Sequence, residues 1–536
     1  MPKNIDIASN RKNSTTIPKN KVLKDAKVIK DAKVIKDAKV IKDDFLKNSF
    51  LLTTSNITTG ILGFIFSIYL SHILGAEGMG LYNLVMPIYN LFICIMSAGV
   101  SASISQISAV YSEKKQFTNL RKTIKTVAFF NFLWGILVAI LVFVFAPYIG
   151  EYGIKDIRTI NSIKVTCPAM IFIALSNILK GYFWGTSKIV FPASIDILEK
   201  ALRILTVAIL IFAFNATDLT LLVTLCYVAL CLGELQSLIL LFLYYKHIQK
   251  SIPHTNERPE RRSQLLFNVL ALCLPLTLNG FLSNIFNTMS TLVIPRCLNY
   301  AGFSHTEALS MIGKFTGMAM MIIGMPLIVV SSINTLLIPD LSQTISKGNY
   351  YSASTRIRKV MKVAFILGLA TSVVCFLIPD ELGQIFYQRN DLGNYIKYAG
   401  LSAPIFFVST TMFGILNGIN KQGIILRNSI IVAILELIGL FLFTSISWIN
   451  IYGYVITLFL TSIVSVIINL YEVTKNIDID ISLTNVIIYI LLSILTYFIL
   501  NILISKFVHP LNLTWSLLII ALTFGIFIFW GKFGES

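Results

Sequence analysis

Charge is what this sequence has least of. Only 13% of its 536 residues are Asp, Glu, Lys or Arg, 55% are hydrophobic, and the mean hydropathy is +0.77. A chain this apolar cannot be a soluble protein of this length, which leaves a polytopic membrane protein. No G-x-x-x-x-G-K-[ST] run occurs, so transport driven by nucleotide hydrolysis within this chain is excluded, and no H-E-x-x-H occurs. The run 75-GAEGMG-80 has the wrong glycine spacing for a dinucleotide turn and reads as a tight turn between apolar segments. The seven cysteines (Cys94, Cys167, Cys226, Cys231, Cys273, Cys297, Cys375) show neither C-x-x-C nor metal-ligand spacing, so they read as free thiols at lipid depth. No metal and no cofactor are expected. The short loops lack a convincing cluster of His and carboxylates, which argues against a transferase or polymerase and for a protein that is not an enzyme.

What is present is a series of apolar runs of spanning length. From Phe45 onward there are fourteen, at approximately 47–74, 81–109, 123–147, 160–183, 189–214, 219–245, 265–293, 308–338, 357–379, 395–416, 423–447, 450–472, 482–505 and 511–531. The fold class expected is therefore all-α, a polytopic membrane protein with 14 transmembrane helices. The formal net charge of +18 is explained by topology, since basic residues collect in the N-terminal tail and in alternate loops, so no nucleic-acid partner is called for. That asymmetry predicts both termini in the cytoplasm.

Residues 1–44 form a basic, low-complexity tail with KDAKVI three times in tandem from Lys24 to Ile41. At about 100° per residue a six-residue period smears Val and Ile around a helix, so no coiled-coil seam results. Anionic lipid on the inner leaflet is the partner that such a tail suits.

The rest divides into two similar halves. The stretches 121-RKTIKTVAF-129 and 358-RKVMKVAF-365 correspond, as do 181-GYFWGTSK-188 and 414-GILNGINK-421, both pairs about 235 residues apart. Two six-helix repeats are thus expected at 45–245 and 265–472, joined by a cytoplasmic linker at 246–264 and followed by two C-terminal helices at 482–531. An even number of helices gives both copies the same orientation, related by an axis along the membrane normal.

One segment breaks the apolar rule. In 192-PASIDILEKALRILTVAILIF-212 four charges, Asp196, Glu199, Lys200 and Arg203, fall within about 100° of one helix face. They form two acid-first i, i+4 pairs, Asp196 with Lys200 and Glu199 with Arg203. Each isolated charge at that depth costs on the order of 2.5 to 3.5 kcal/mol, so the face must meet protein or water. Folding back about 215-NATD-218 brings Glu234 level with Glu199 as a third acid. Two readings stay open: a neutral cluster that locks helices together, or a polar cavity wall where Lys200 and Arg203 meet an anionic substrate group. Lys314 is either a second substrate contact or snorkels outward. Glu436 has no basic partner within a turn.

The run 62-LGFIFSIYLSHILGAEGMGLYNLVMPIYNLFICIMSAGVSASIS-105 resembles the opening helix pair of the stage V sporulation protein B family, in the polysaccharide flippase branch of the multidrug/oligosaccharidyl-lipid/polysaccharide exporters. The run 317-GMAMMIIGMPLIVVSSINTLLIPDLSQ-343 resembles that family's eighth helix, and Pro192, Glu199 and Arg203 match its fifth-helix pattern. The family often has Gln where this chain has Asp196 and Lys200, which makes Arg203 the safer substrate contact. The resemblance implies two lobes around a V-shaped central cavity in a bacterial cytoplasmic membrane. The substrate it implies is an undecaprenyl-pyrophosphate-linked oligosaccharide, in the first place the peptidoglycan precursor for spore cortex, with Arg203, Lys200, Glu199, Asp196, Glu234 and Lys314 as substrate-binding residues. Another lipid-linked polysaccharide, a cation-coupled multidrug exporter and a non-transporting scaffold for cell-wall synthesis proteins are the alternatives. Residues 47–71 and 265–293 contain neither Asp nor Glu, which weighs against the exporter.

Overall fold

The computed structural model describes residues 19–251, 260–479, 482–507 and 513–533. The expected tail up to residue 18 and the middle of the expected linker, 252–259, lie outside them. Contacts divide the chain into two compact units between Phe50 and Leu51. In the first, the KDAKVI repeats have a helical backbone from Lys19 on. The second begins at Leu51.

Among the described residues there are helices and no strands: α1 (Lys19–Ser97), α2 (Val100–Glu113), α3 (Phe117–Tyr148), α4 (Ile160–Gly185), α5 (Val190–Phe214), α6 (Leu219–Ser251), α7 (Arg262–Tyr300), α8 (His305–Ile312), α9 (Met320–Ser346), α10 (Tyr350–Leu377), α11 (Pro379–Tyr387), α12 (Gly393–Gly418), α13 (Gln422–Thr444), α14 (Tyr452–Thr474), α15 (Leu483–Phe507) and α16 (Leu513–Phe533). A π-helical turn, Gly313–Ala319, joins α8 to α9. Twelve stretches are long and apolar enough to cross a membrane. The sequence reading gives fourteen, and the two counts part at two places. Leu51–Glu113, 63 residues long, is one stretch where the sequence suggests two segments. It is interrupted at Gly75, whose φ of 63° and ψ of −170° only glycine adopts readily. The helix α5 is not among the twelve, because its charges dilute its apolar length.

Local chemistry fixes the ends. Asn215 takes the left-handed conformation that closes α5, and the Asp218 carboxylate accepts the Leu221 N–H at 3.1 Å to start α6. Ser304 and Glu307 form a reciprocal capping box at α8. The short helix α11, opened by Pro379, has no counterpart among the segments read from the sequence. The second expected segment, 81–109, is not continuous either. It breaks at Ala98–Gly99, where the Gly99 N–H donates to Thr277 Oγ1 of α7 at 3.2 Å instead of continuing the helix ladder.

Corresponding helices of the two halves pack alike. The helix α4 packs on α2, α3 and α6; α12 packs on α9, α10 and α14; α5 lies on α6 and α13 on α14. The repeated G-x-x-x-G-x-x-K motif has the same use in both. A β-carbon at Gly181 or Gly185 would collide with the backbone at Ser101 and Ser105 of α2, and one at Gly414 or Gly418 would collide with Asn334 and Leu341 of α9. Small residues let membrane helices approach this closely where no hydrophobic drive separates protein from lipid. The helices α15 and α16 pack on α10. The cysteines are free and all but Cys231 are buried.

Candidate functional site: an intramembrane charge cluster and a cavity between the halves

Two of the four charges of α5, Glu199 and Arg203, are buried inside the protein, while Asp196 and Lys200 stay about one third exposed. Glu199, Arg203 and Glu234 are 5%, 6% and 7% exposed. Arg203 Nη2 donates to Glu199 Oε1, one turn back on α5, and to Glu234 Oε1 of α6 at 3.3 Å. The level expected for Glu234 from the fold-back about 215–218 is therefore met.

The expected pair Asp196–Lys200 is not formed. Asp196 Oδ1 is held by Lys180 Nζ of α4 at 2.6 Å, and Lys200 Nζ lies 3.4 Å from Glu199 Oε2. The physical reason lies in burial. Lys180 stands inside the protein with its side chain 14% exposed and needs an anion, whereas the Lys200 side chain is 38% exposed and can reach solvent or headgroups. Lys180, one residue before the Gly181 motif, is the member that sequence reasoning missed. Its only signal was a lysine inside an otherwise apolar run.

The six side chains sum to zero charge, three cations with three anions. Arg203 Nε and the nearby Tyr89 hydroxyl are buried without a hydrogen-bond partner among the described residues, so the cluster retains unused polar groups on the side of α1.

The structure does not bring Lys314 to this cluster. Its Nζ pairs with Asp391 Oδ2 at 2.8 Å, in the loop between α11 and α12, and lies 5.8 Å from the Tyr395 ring centroid. Asp391 is also gripped by Arg389, through Nε at 2.8 Å and Nη2 at 2.7 Å. These Arg389 hydrogen bonds, with the Lys314 contact, hold the Asp391 carboxyl well below its ordinary range against the opposing effect of burial. Glu436 on α13 contacts Ser290 of α7 and stands near Tyr454 of α14.

Two features appear that the sequence did not announce. The first is a bridge between the halves at one end of the bundle. Arg158 joins Glu77 (2.7 Å) to Asp156 (2.8 Å), and Asp156 Oδ2 contacts His305 Nε2 at 3.1 Å. The Arg296 guanidinium donates to the carbonyls of Tyr152 and Gly153 beside it. The run 75–80, read as a turn, thus sits in an inter-half contact, with Gly313 packed on the Ala76 carbonyl and Gly80 on Leu309. The second is a cavity of about 210 Å³ between α1, α7, the Gly313–Ala319 turn and α14. It is lined from both halves by amide, hydroxyl and apolar groups, with no ionisable side chain among them other than the phenol of Tyr454.

Comparison with known proteins fits this architecture. The polysaccharide biosynthesis protein family matches residues 45–345, and the MatE family matches residues 275–442. Stage V sporulation protein B of Bacillus subtilis (strain 168) is 25% identical over 395 residues, 73% of this chain and 76% of that protein. Lipid II flippase MurJ of the same organism is 22% identical over 416 residues, with the same shares covered. A solved structure of lipid II flippase MurJ in an inward closed conformation superposes with a TM-score of 0.68 at 16% identity, covering 91% of this chain and 99% of that one. A family match running from the first apolar segment through α9, over more than half of the chain, means that the protein belongs to the polysaccharide biosynthesis protein family.

Proposed function

We propose that this protein is a flippase that moves an undecaprenyl-pyrophosphate-linked glycan across the cytoplasmic membrane by alternating access. The observation that carries the proposal is the cavity between the two halves, lined from both by amide, hydroxyl and apolar groups that lie within spans long enough to cross a membrane. A pyrophosphate-sugar headgroup cannot cross hydrocarbon unaided, and a polar chamber opening alternately to either side removes that barrier while the polyprenyl tail stays in lipid. In this proposal residues 45–245 and 265–472 are two lobes that rock about the cavity. The common packing of α2 with α4 and of α9 with α12 supports it.

The carried glycan is proposed to be the peptidoglycan precursor for spore cortex. The similarity to stage V sporulation protein B and to a lipid II flippase supports that choice. Arg203 and Lys200 are proposed as the cations that meet the pyrophosphate during part of the cycle, when Asp196, Glu199 and Glu234 exchange partners with it. The unpartnered Arg203 Nε and the exposed Lys200 side chain support this role. Both termini are proposed to be cytoplasmic, with the basic tail on anionic lipid.

The test is the sidedness of labelled lipid-linked precursor in sealed vesicles, for the unaltered chain and Arg203→Ala at matched protein levels. Export lost both in Arg203→Ala and in the stability-restoring triple variant Glu199→Gln, Arg203→Met, Glu234→Gln supports the substrate role, whereas export lost in Arg203→Ala and recovered in the triple variant marks a folding defect. Export unchanged makes the cluster a structural lock, and no export by the unaltered chain or the variants overturns the flippase reading.

A further inference from the structure

The cavity's lining is unusual for a membrane interior in carrying neutral polar groups and no ion pair. Its polar residues are Asn83, Asn90, Asn287, Ser290, Thr291 and Thr316, with Tyr454 at one side. Nearby amides show how such groups are usually satisfied. Asn284 Nδ2 donates to the Gly280 carbonyl at 2.9 Å, and Asn83 Nδ2 lies 3.5 Å from Thr316 Oγ1. Asn90 of α1 and Asn287 of α7 differ. Both are exposed to the cavity, and neither side-chain amide has a hydrogen-bond partner among the described residues. They come from opposite halves, at a point where Thr288 Oγ1 donates to the Pro87 carbonyl at 3.2 Å and holds α7 against α1.

An unpartnered amide at membrane depth is costly unless water or a ligand completes it. Two such amides facing one cavity, each a donor and an acceptor at once, suit a ligand whose groups are also both donor and acceptor. Sugar hydroxyls and acetamido groups have this character. A phosphate would require a cation in the lining and an organic cation would require a carboxylate, and neither is there. Glu436 reaches Ser290 but does not itself line the space. The volume, about 210 Å³, is below the roughly 300 to 1,000 Å³ of pockets for drug-sized ligands. It suits one sugar ring, not an oligosaccharide.

We infer that this cavity is a subsite for one neutral sugar of the lipid-linked glycan, held by the side-chain amides of Asn90 and Asn287. The inference rests on the flippase proposal for its ligand class. It adds that recognition is divided, with the sugar read here by neutral groups and the pyrophosphate read elsewhere by cations.

The experiment compares binding of two lipids to the full-length chain in detergent: polyprenyl pyrophosphate bearing one N-acetylhexosamine, and the same lipid bearing none. Unaltered protein binds the sugar-bearing lipid more tightly. Asn90→Leu and Asn287→Leu weaken that binding about tenfold or more and leave the sugar-free lipid unchanged. Asn287→Ser, which keeps a small polar group and the helix packing, gives an intermediate loss at an unchanged melting temperature, so a folding defect in the Leu variants cannot imitate the result. Equal binding of the two lipids by the unaltered protein, or an equal loss for both lipids in the variants, overturns the inference. Translocation of both lipids is followed in parallel in vesicles. Sugar-selective binding without translocation leaves the subsite standing and removes the flippase reading, whereas translocation without sugar selectivity does the reverse.

Discussion

His305 Nε2 of α8 lies 3.1 Å from Asp156 Oδ2, which joins the second half of the chain to the first at one end of the bundle. Asp156 is buried, and burial alone would raise its carboxyl. Hydrogen bonds and charge from Arg158, together with His305, outweigh that and keep it below the ordinary carboxylate range. A carboxyl with a depressed folded pKa contributes stability above its unfolded value of about 3.9 and loses it as pH falls through the folded one. This contact should therefore persist throughout the neutral range. Hydrogen exchange of residues 301–305 should rise only as the medium is taken below about pH 4. Asp156→Asn should bring the same rise at neutral pH, at a cost on the order of 1 to 3 kcal/mol for a charged hydrogen-bond partner removed. Exchange independent of both pH and Asp156→Asn would show that this contact does not hold the halves together.

Arg203 neutralises two buried acids, so removing it alone leaves Glu199 and Glu234 facing each other in a low-dielectric interior. Arg203→Ala should cost about 3 to 5 kcal/mol of stability. The triple change Glu199→Gln, Arg203→Met, Glu234→Gln should recover most of that loss, because the one charge it leaves without a partner, Lys200, has a side chain 38% exposed and can be solvated. Thermal unfolding in one detergent checks both. A triple variant less stable than Arg203→Ala would mean that the ions contribute net stability.

Lys314 is held by Asp391 in a loop, away from the charges of α5. Lys314→Met should leave lipid translocation within about twofold, while exchange in 388–392 increases as one partner of an ion pair is lost. A large fall in translocation at unchanged loop exchange would return Lys314 to the substrate path.

The glycine motifs should respond alike in the two halves. Gly185→Val sets a branched side chain against Ser105 of α2, and Gly418→Val sets one against Leu341 of α9. Each should destabilise by about 1 to 3 kcal/mol or more through forced separation of close-packed helices. Gly63 and Gly324, with open space where a β-carbon would stand, should tolerate Ala. Equal effects at all four positions would remove the packing explanation for the motif.

Composition and hydropathy alone determine that this chain lies in a membrane as helices, since spans of such length leave the backbone no other way to satisfy its hydrogen bonds in lipid. The α5 charges had to meet protein or water for the same reason of solvation, and a turn at 215–218 was enough to place Glu234 beside Arg203. Only the tertiary structure could decide which base meets Asp196, because Lys180 and Lys200 are equally near in composition and differ in how far each is buried. The bridge from Glu77 through Arg158 and Asp156 to His305 and the cavity holding Asn90 and Asn287 were hidden for a similar reason. Their members lie far apart in sequence, carry no periodic signal, and acquire meaning only when helix packing sets the two halves against each other.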